Sequence, residues 1–124
     1  MTTIRTLVSV VDDDESVRES LPDLLREFGF EARAFASAEE FLASECIANT
    51  RCLILDIAMP GMTGPALQIE LSHRQWPIPI IFITGQREED VHTRLLEAGA
   101  VACLLKPFTE TALLEALSVA LRTQ

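Results

Sequence analysis

Short apolar runs alternate with amphipathic stretches along the chain. The runs predict strands at about residues 7–11, 31–35, 52–55, 79–83 and 101–105. Between them, apolar residues recur at helical spacing, which predicts amphipathic helices. Ser37, Pro65 and Thr109 indicate helix starts, and Gly29 and Gly99 indicate helix ends. Strict alternation of strands and helices predicts a parallel sheet with helices on both faces.

Pro22 interrupts the first predicted helix. It has no backbone N–H to donate to the carbonyl of Arg18, a loss that typically costs roughly 3 kcal/mol and kinks a helix. The apolar spacing continues across the proline. We therefore predict one helix that either bends at Pro22 or has an irregular first turn, which bears on partner docking at that face.

The composition indicates one globular domain spanning residues 1–124. Apolar residues make up 48% of the chain, enough for a core. A net charge of −9 would repel phosphate backbones, so we expect no direct nucleic-acid binding by this domain. No run reaches membrane-spanning length, and residues 1–5 do not resemble a signal peptide, so we expect a cytoplasmic protein without membrane contact. Cys46, Cys52 and Cys103 are expected to be free thiols.

Four of the predicted strands end in a reactive polar residue. The acids at 12–14 follow the first strand, Asp56 follows the third, Thr84 follows the fourth and Lys106 follows the fifth. Taken singly, such residues are more often ordinary surface or turn residues. The carboxyl ends of parallel strands lie on one edge of a sheet, where ligands bind. Their joint occurrence therefore predicts one functional site.

These residue types fit magnesium-assisted phosphoryl chemistry. Clustered carboxylates are tolerated when a divalent cation lies between them, and oxygen donors suit Mg²⁺. A carboxylate beside Mg²⁺ is a plausible nucleophile towards a phosphoryl group. Lys106 can neutralise charge on that group, and Thr84 can donate a hydrogen bond to it. His73 and His92 are predicted on helix surfaces away from the strand ends, which disfavours a zinc site.

Four segments together resemble the receiver (phosphoacceptor) domain of two-component response regulators. They are residues 11–18 (VDDDESVR), 55–64 (LDIAMPGMTG), 82–85 (FITG) and 105–108 (LKPF). The likeness covers essentially all of residues 1–124, as a single receiver domain with any output domain absent from this chain. It is strongest to the FixJ/NarL-type branch, whose members often carry a helix-turn-helix output domain. It implies an α/β, flavodoxin-like (βα)5 fold with a doubly wound parallel five-stranded sheet in the order 2-1-3-4-5.

The resemblance also implies the acceptor and the metal ligands. Asp56 would accept the phosphoryl group from a phosphohistidine of a sensor histidine kinase. Asp13 would bind Mg²⁺ directly, and Asp12 would act largely through water. Asp56 itself and the backbone carbonyl of Ala58 would complete the protein ligands.

The switch and the output surface are implied in the same way. Thr84 would be the switch hydroxyl, and Lys106, before a cis bond to Pro107, would be the phosphate counter-ion. The last two helices and the fifth strand would then present a changed surface that controls an output, transcription in the FixJ/NarL-type branch. A phosphorylation-dependent homodimer is one use of such a surface. We expect a switch that promotes its own phosphoryl transfer and dephosphorylation rather than a turnover enzyme.

Cys103 departs from the family pattern. Receiver domains usually have an aromatic residue three positions before the lysine, and its rotamer reports the switch. A thiol cannot occupy two aromatic-sized sites. We therefore hypothesise that the loop around Gln86 and Arg87, and the helix after it, carry the movement instead.

Three other functions are weighed against this one. A phosphatase with an aspartyl nucleophile would carry a second acid two positions later, where this chain has Ala58. A flavin carrier of the same fold would need a Ser/Thr/Gly-rich phosphate loop after the first strand, and the chain has acids there instead. A receiver-like module that no longer takes phosphate is disfavoured by the complete acceptor set.

Overall fold

A five-stranded parallel sheet forms the centre of the molecule in a computed structural model that describes residues 5–122. The strands are β1 (Leu7–Val11), β2 (Glu31–Phe35), β3 (Thr50–Asp56), β4 (Ile80–Thr84) and β5 (Ala102–Leu105). They lie in the order β2-β1-β3-β4-β5, and every neighbouring pair is parallel. The predicted fold class and strand order are confirmed.

Five α-helices alternate with these strands. They are α1 (Glu15–Glu27), α2 (Ala38–Ala43), α3 (Gly64–His73), α4 (Glu89–Glu97) and α5 (Glu110–Arg122). In the described range, no helix is long and apolar enough to cross a membrane. Residues 1–4 and 123–124, on which the signal-peptide expectation and the outer limits of the 1–124 domain depend, lie outside the described residues.

Short polar side chains begin four of the five helices. Side-chain oxygens of Asp14, Ser37, Thr63 and Thr109 accept backbone N–H bonds in the first turns of α1, α2, α3 and α5. Such caps satisfy N–H groups that have no partner within the helix. The starts predicted at Ser37 and Thr109 are confirmed, and α1 and α4 end just before Gly29 and Gly99, as predicted.

The first helix is continuous through Pro22, which is buried. Its first turn is regular, because the Arg18 amide donates to the Asp14 carbonyl at 3.1 Å and Asp14 caps the helix. Of the two alternatives predicted for Pro22, the irregular first turn is therefore wrong. The apolar contacts of Leu21 and Leu25, both buried beside the proline, hold the helix against the sheet.

The third strand begins earlier than the apolar run predicted. It starts at Thr50, after a short 3-10 helix (Glu45–Asn49), instead of at residue 52. Thr50 is polar yet buried, because its hydroxyl donates to the Cys46 carbonyl at 2.7 Å and lies 2.7 Å from the Ser9 hydroxyl of β1. The hydrogen-bonded hydroxyls of Ser9 and Thr50 thus allow the strand to begin at a polar residue that the hydrophobic pattern did not assign to it.

Two apolar clusters cover the two faces of the sheet. One packs β1 and β3 against α1 and α5, and the other packs β3 and β4 against α2, α3 and α4. Successive residues of β3 alternate between the clusters, which explains why its apolar run is unbroken. All three cysteines are free, and burial raises the pKa of the Cys52 thiol to about 12. The core therefore fixes the strand ends that carry the reactive residues.

Candidate functional site

Three carboxylates meet at the carboxyl ends of β1 and β3. The two strands are neighbours with Val11 opposite Leu55, so the residues that follow, Asp12 and Asp56, leave the sheet side by side. One carboxylate oxygen from each of Asp12, Asp13 and Asp56 lies within 4.8 Å of the others. Asp12 is fully buried and Asp56 is only 6% exposed, whereas Asp13 is exposed. The structure thus brings together the three acids that the sequence placed at one edge of the sheet.

Lys106 supplies the positive charge at this site. Its ammonium Nζ lies 2.9 Å from Asp12 Oδ2 and 3.9 Å from Asp56 Oδ1, reaching across from the end of β5. Burial alone would lower its pKa, but the hydrogen bond to Asp12 and the charges of Asp12 and Asp56 raise it overall. Lys106 is therefore charged at neutral pH. The peptide bond between Lys106 and Pro107 is cis, as the resemblance implied. We call Asp12, Asp13, Asp56 and Lys106 the acidic edge.

One ammonium does not compensate three carboxylates. The pKa of Asp56 is raised to about 7, first by burial and then by the charge of Asp12, while Lys106 opposes the shift. The charge of Lys106 is thus too little to offset the burial of the Asp56 carboxyl group and the negative charge of Asp12. A divalent cation would supply the positive charge that this acidic cluster needs. The donors are all oxygen atoms, which fit Mg²⁺ or a similar hard cation.

The backbone around Asp12 is fixed by two further contacts. Its Oδ1 accepts the Asp14 amide at 2.9 Å, and the Arg18 guanidinium donates to its carbonyl at 3.0 Å. Arg18 was not among the predicted site residues. Its position one helical turn after Asp14 is the signal that indicates a contact back to the acid run. Arg18 holds the chain that presents Asp12 and Asp13.

Thr84 ends β4 beside the acidic edge and is 4% exposed. Its hydroxyl oxygen accepts the Gln86 amide at 3.1 Å, and its carbonyl accepts the Lys106 amide at 2.7 Å. The hydroxyl therefore links the strand to the loop that precedes α4, while its own proton remains available for donation.

The loop between β3 and α3 carries Ala58, which is exposed and two positions after Asp56. The two ends of the loop are joined by a hydrogen bond from the Gly64 amide to the Ile57 carbonyl at 3.0 Å. A Cβ atom at Gly64 would lie 2.3 Å from the Asp56 carbonyl oxygen, so only glycine allows this close approach. The sequence at 57–64 is thus fitted to a tight loop directly after the proposed acceptor.

Cys103 lies on β5 opposite Phe82 of β4, half-buried in the cluster that includes Val91 and Leu95. Burial raises the pKa of its thiol. The prediction for His73 is confirmed, because it is exposed on α3. The prediction that His92 lies on a helix surface is wrong: it is half-buried, and its Nε2 atom is buried with no hydrogen-bond partner among residues 5–122.

Comparison with known families and relatives agrees with this geometry. A family model described as the response regulator receiver domain matches residues 8–118. Over 116 residues the chain is 44% identical to nodulation protein W of Bradyrhizobium diazoefficiens, covering 94% of this chain and 51% of that protein. It is 38% identical over 110 residues to transcriptional regulatory protein FixJ of Rhizobium meliloti, covering 89% of this chain and 54% of that protein.

Among solved structures, the chain is similar to the crystal structure of FixJ-N. The TM-score is 0.86 at 35% identity, and the match covers 98% of both chains. By contrast, the chain spans about half the length of the two curated relatives above. The match is therefore to one domain of those proteins.

Proposed function

The chain belongs to the response regulator receiver domain family, and on that premise we propose that it is a phosphorylation-dependent signalling switch with Asp56 as its phosphoryl acceptor. The observation that carries the proposal is the position of Asp56. One carboxylate oxygen of Asp56 lies within 4.8 Å of an oxygen of Asp12 and of Asp13, and its Oδ1 lies 3.9 Å from the Lys106 ammonium. The pKa of Asp56 is raised to about 7. The names of the relatives support this proposal, because they include a response regulator protein, TmoT, and a transcriptional regulatory protein, FixJ.

The transfer step uses a phosphohistidine of a sensor histidine kinase. A carboxylate oxygen of Asp56 attacks phosphorus, and a P–O bond forms while the P–N bond breaks. The donor imidazole, protonated on its other ring nitrogen, leaves as the neutral ring with the electron pair of that bond. Asp56 must be ionised for this step, but burial and then the charge of Asp12 raise its pKa and work against ionisation.

The protein ligands for Mg²⁺ are proposed to be Asp12, Asp13, Asp56 and the backbone carbonyl of Ala58. When bound, the ion would supply positive charge that favours the Asp56 carboxylate and neutralises phosphoryl oxygens. Asp12 already shares its Oδ2 with Lys106 and its Oδ1 with the Asp14 amide. This agrees with a mainly indirect role for Asp12 at the ion and a more direct one for the exposed Asp13.

After transfer, Lys106 pairs with a phosphoryl oxygen as counter-ion, and Thr84 donates its hydroxyl proton to another. Movement of Thr84 breaks the hydrogen bond that it accepts from Gln86 and thereby displaces the start of the β4–α4 loop. The phosphorylated state shifts the population towards a changed α4–β5–α5 surface, formed by Glu89–Glu97, Ala102–Leu105 and Glu110–Arg122. We propose that this surface controls an output, transcription, and that it can also form a phosphorylation-dependent homodimer. The proposed location of the protein is the cytoplasm.

A direct test is chemical phosphorylation. Incubation with a small acyl phosphate and Mg²⁺ should add one phosphoryl mass increment to the intact protein. Asp56→Asn or chelation of the metal should abolish it. The matched control is Asp23→Asn, which removes an exposed acid of α1 that pairs with Arg26. Full labelling of the Asp56→Asn variant would contradict the assignment, and steady turnover of a small phosphomonoester would favour a phosphatase.

A further inference from the structure

A hydrogen bond joins α2 to the loop that follows the proposed acceptor. The Met62 amide donates to Glu39 Oε2 at 3.2 Å, between residues 23 positions apart. Apart from the Thr63 cap of α3, this is the one side-chain hydrogen bond among residues 5–122 that joins the loop at 57–63 to another element. Sequence spacing offers no signal for this contact.

Packing brings the two elements together around this bond. Ala38 and Phe41 of α2 are fully buried, and Met59 of the loop is 6% exposed in the same apolar cluster. Met62 packs against that cluster from the loop side. The apolar contacts fix the loop from beneath, and the carboxylate of Glu39 fixes the direction of its backbone at the surface.

The shape of the loop is matched to Glu39 at Gly61 as well. Gly61 has a φ of +74°, which disfavours other residues. A Cβ atom built there would lie 2.8 Å from Glu39 Oε2, so the carboxylate occupies the space that a larger residue would need. Because Glu39 has a flexible side chain, a residue larger than glycine would push its carboxylate away and break the bond to Met62.

We propose that Glu39 is a positioning residue that holds the β3–α3 loop in the shape needed for metal binding at the acidic edge. This rests on the proposed function, in which the Ala58 carbonyl of the same loop is a metal ligand. Glu39 itself touches neither metal nor phosphoryl group in this proposal. Its effect is transmitted through the backbone between Met62 and Ala58, which is pinned at its other end by the bond between Gly64 and Ile57.

The test measures Mg²⁺ affinity without any phosphoryl donor, by following backbone amide shifts of the acidic edge in an NMR titration with MgCl₂. Glu39→Ala should raise the Kd for Mg²⁺ about fivefold, a change of the size expected when one exposed hydrogen bond is lost. Glu39→Gln keeps an acceptor oxygen and should stay within about twofold of the wild type. Glu40→Ala removes the same charge from the same helix and should leave the Kd unchanged.

Gly61→Ala supplies an independent variant. It should weaken Mg²⁺ binding by displacing the Glu39 carboxylate, and its effect should be smaller in a Glu39→Ala background, where no carboxylate is displaced. Backbone strain at residue 61 is present in both backgrounds and does not produce this difference. Purely additive effects on the Kd would contradict a shared mechanism and overturn the proposal.

The failure of this proposal and that of the proposed function are distinguishable. Equal Mg²⁺ affinities in the wild type and Glu39→Ala overturn the positioning role alone. A Gln variant as impaired as Ala, or a Glu40→Ala variant that matches Glu39→Ala, also overturns it, because the effect would then be one of charge. Absence of Mg²⁺ binding at the acidic edge of the wild type overturns the metal part of the proposed function.

Discussion

The strands that carry Asp12, Asp56 and Thr84 are well buried, whereas the α4–β5 region (residues 89–105) is more loosely packed. All residues of β1 and β4 are buried, but every residue of β5 is only half-buried. Leu95 is the buried residue of α4, which lacks a side-chain cap in the described structure, while α1 has a cap and buries Leu21, Pro22 and Leu25. The acids and Thr84 therefore lie at the ends of well-buried strands, whereas the proposed readout includes the half-buried β5.

This difference suggests a division between a rigid site and a movable surface. Elements with few buried contacts open and rearrange at lower free energy than the core. If Asp56 is phosphorylated as proposed, we therefore expect the added charge to displace the β4–α4 loop and α4 without unfolding β1 or β3. The predictions below test whether the two regions respond to substitution as differently as their packing indicates.

The largest effect is expected from Lys106→Met, which keeps most of the side-chain volume and removes the charge. Asp12 would then be fully buried without its ammonium partner, so the free energy of unfolding should fall by about 3 kcal/mol at pH 7 without metal. Mg²⁺ should restore part of this loss. Urea denaturation measures both values.

The matched control for Lys106→Met is Arg74→Met, which breaks an ion pair with Glu70 whose N–O distance is 2.6 Å. That pair is largely exposed, and its loss should cost about 0.5 kcal/mol or less. Equal destabilisation by the two variants would show that the acidic edge is no more sensitive to charge than the surface.

The acid titration of Asp56 gives the next prediction, for the metal-free protein. The pKa of Asp56 is about 7 in the folded state, whereas an unperturbed aspartate titrates at ~3.9. Between these pH values the folded state binds more protons than the unfolded state. The free energy of unfolding should therefore fall as pH rises from about 4 to about 7, by about 1 to 3 kcal/mol, and then level off.

Asp56→Asn isolates that contribution. The variant should match the wild type near pH 4 and be more stable at pH 8, because the amide carries no charge to bury. Saturating Mg²⁺ should narrow the difference by stabilising the wild type. A wild-type protein that remains the more stable of the two at pH 8 without metal would contradict the raised pKa. Thermal unfolding of both proteins across this pH range provides the comparison.

The sequence predicted the acidic edge better than the α4–β5 region for a physical reason. Asp12, Asp56, Thr84 and Lys106 each end an apolar run, and parallel topology alone brings strand ends together. The contact between Glu39 and Met62 could not be predicted, because it depends on how α2 packs against a loop. Likewise, the polar start of β3 at Thr50 depends on a hydroxyl partner from β1, which hydrophobic patterning cannot show.

The α4–β5 region is the place where burial was misjudged. Helical spacing assigned His92 to the surface, but its side chain is half-buried and its Nε2 atom is buried. At Cys103 the departure from the family pattern was visible in the sequence. The pairing of Cys103 with Phe82 was not visible in the sequence. Phe82 lies opposite Cys103 on β4 and places an aromatic ring beside the small thiol.

Cys103→Phe tests whether this region tolerates the missing ring. Phe82 and Leu95 already fill the adjoining cluster, so an added aromatic ring should destabilise the protein by about 1 to 2 kcal/mol unless α4 moves outward. The conservative control is Cys103→Ala, which should change stability by about 1 kcal/mol or less. Phosphoryl labelling of Asp56 should be retained in both variants. Loss of labelling in Cys103→Phe would show that the site and the readout region are not separable.

The smallest expected effect concerns the buried nitrogen of His92. An unpaired polar atom inside a protein costs free energy that an apolar side chain avoids, so His92→Leu should raise the free energy of unfolding by about 1 kcal/mol. His73→Leu, on the exposed face of α3, is the matched control and should change stability little. If α4 is also the movable readout, His92→Leu should slow amide hydrogen exchange in α4 without changing exchange in β1. Uniform slowing across the sheet would instead indicate that α4 and the acidic edge open as one unit.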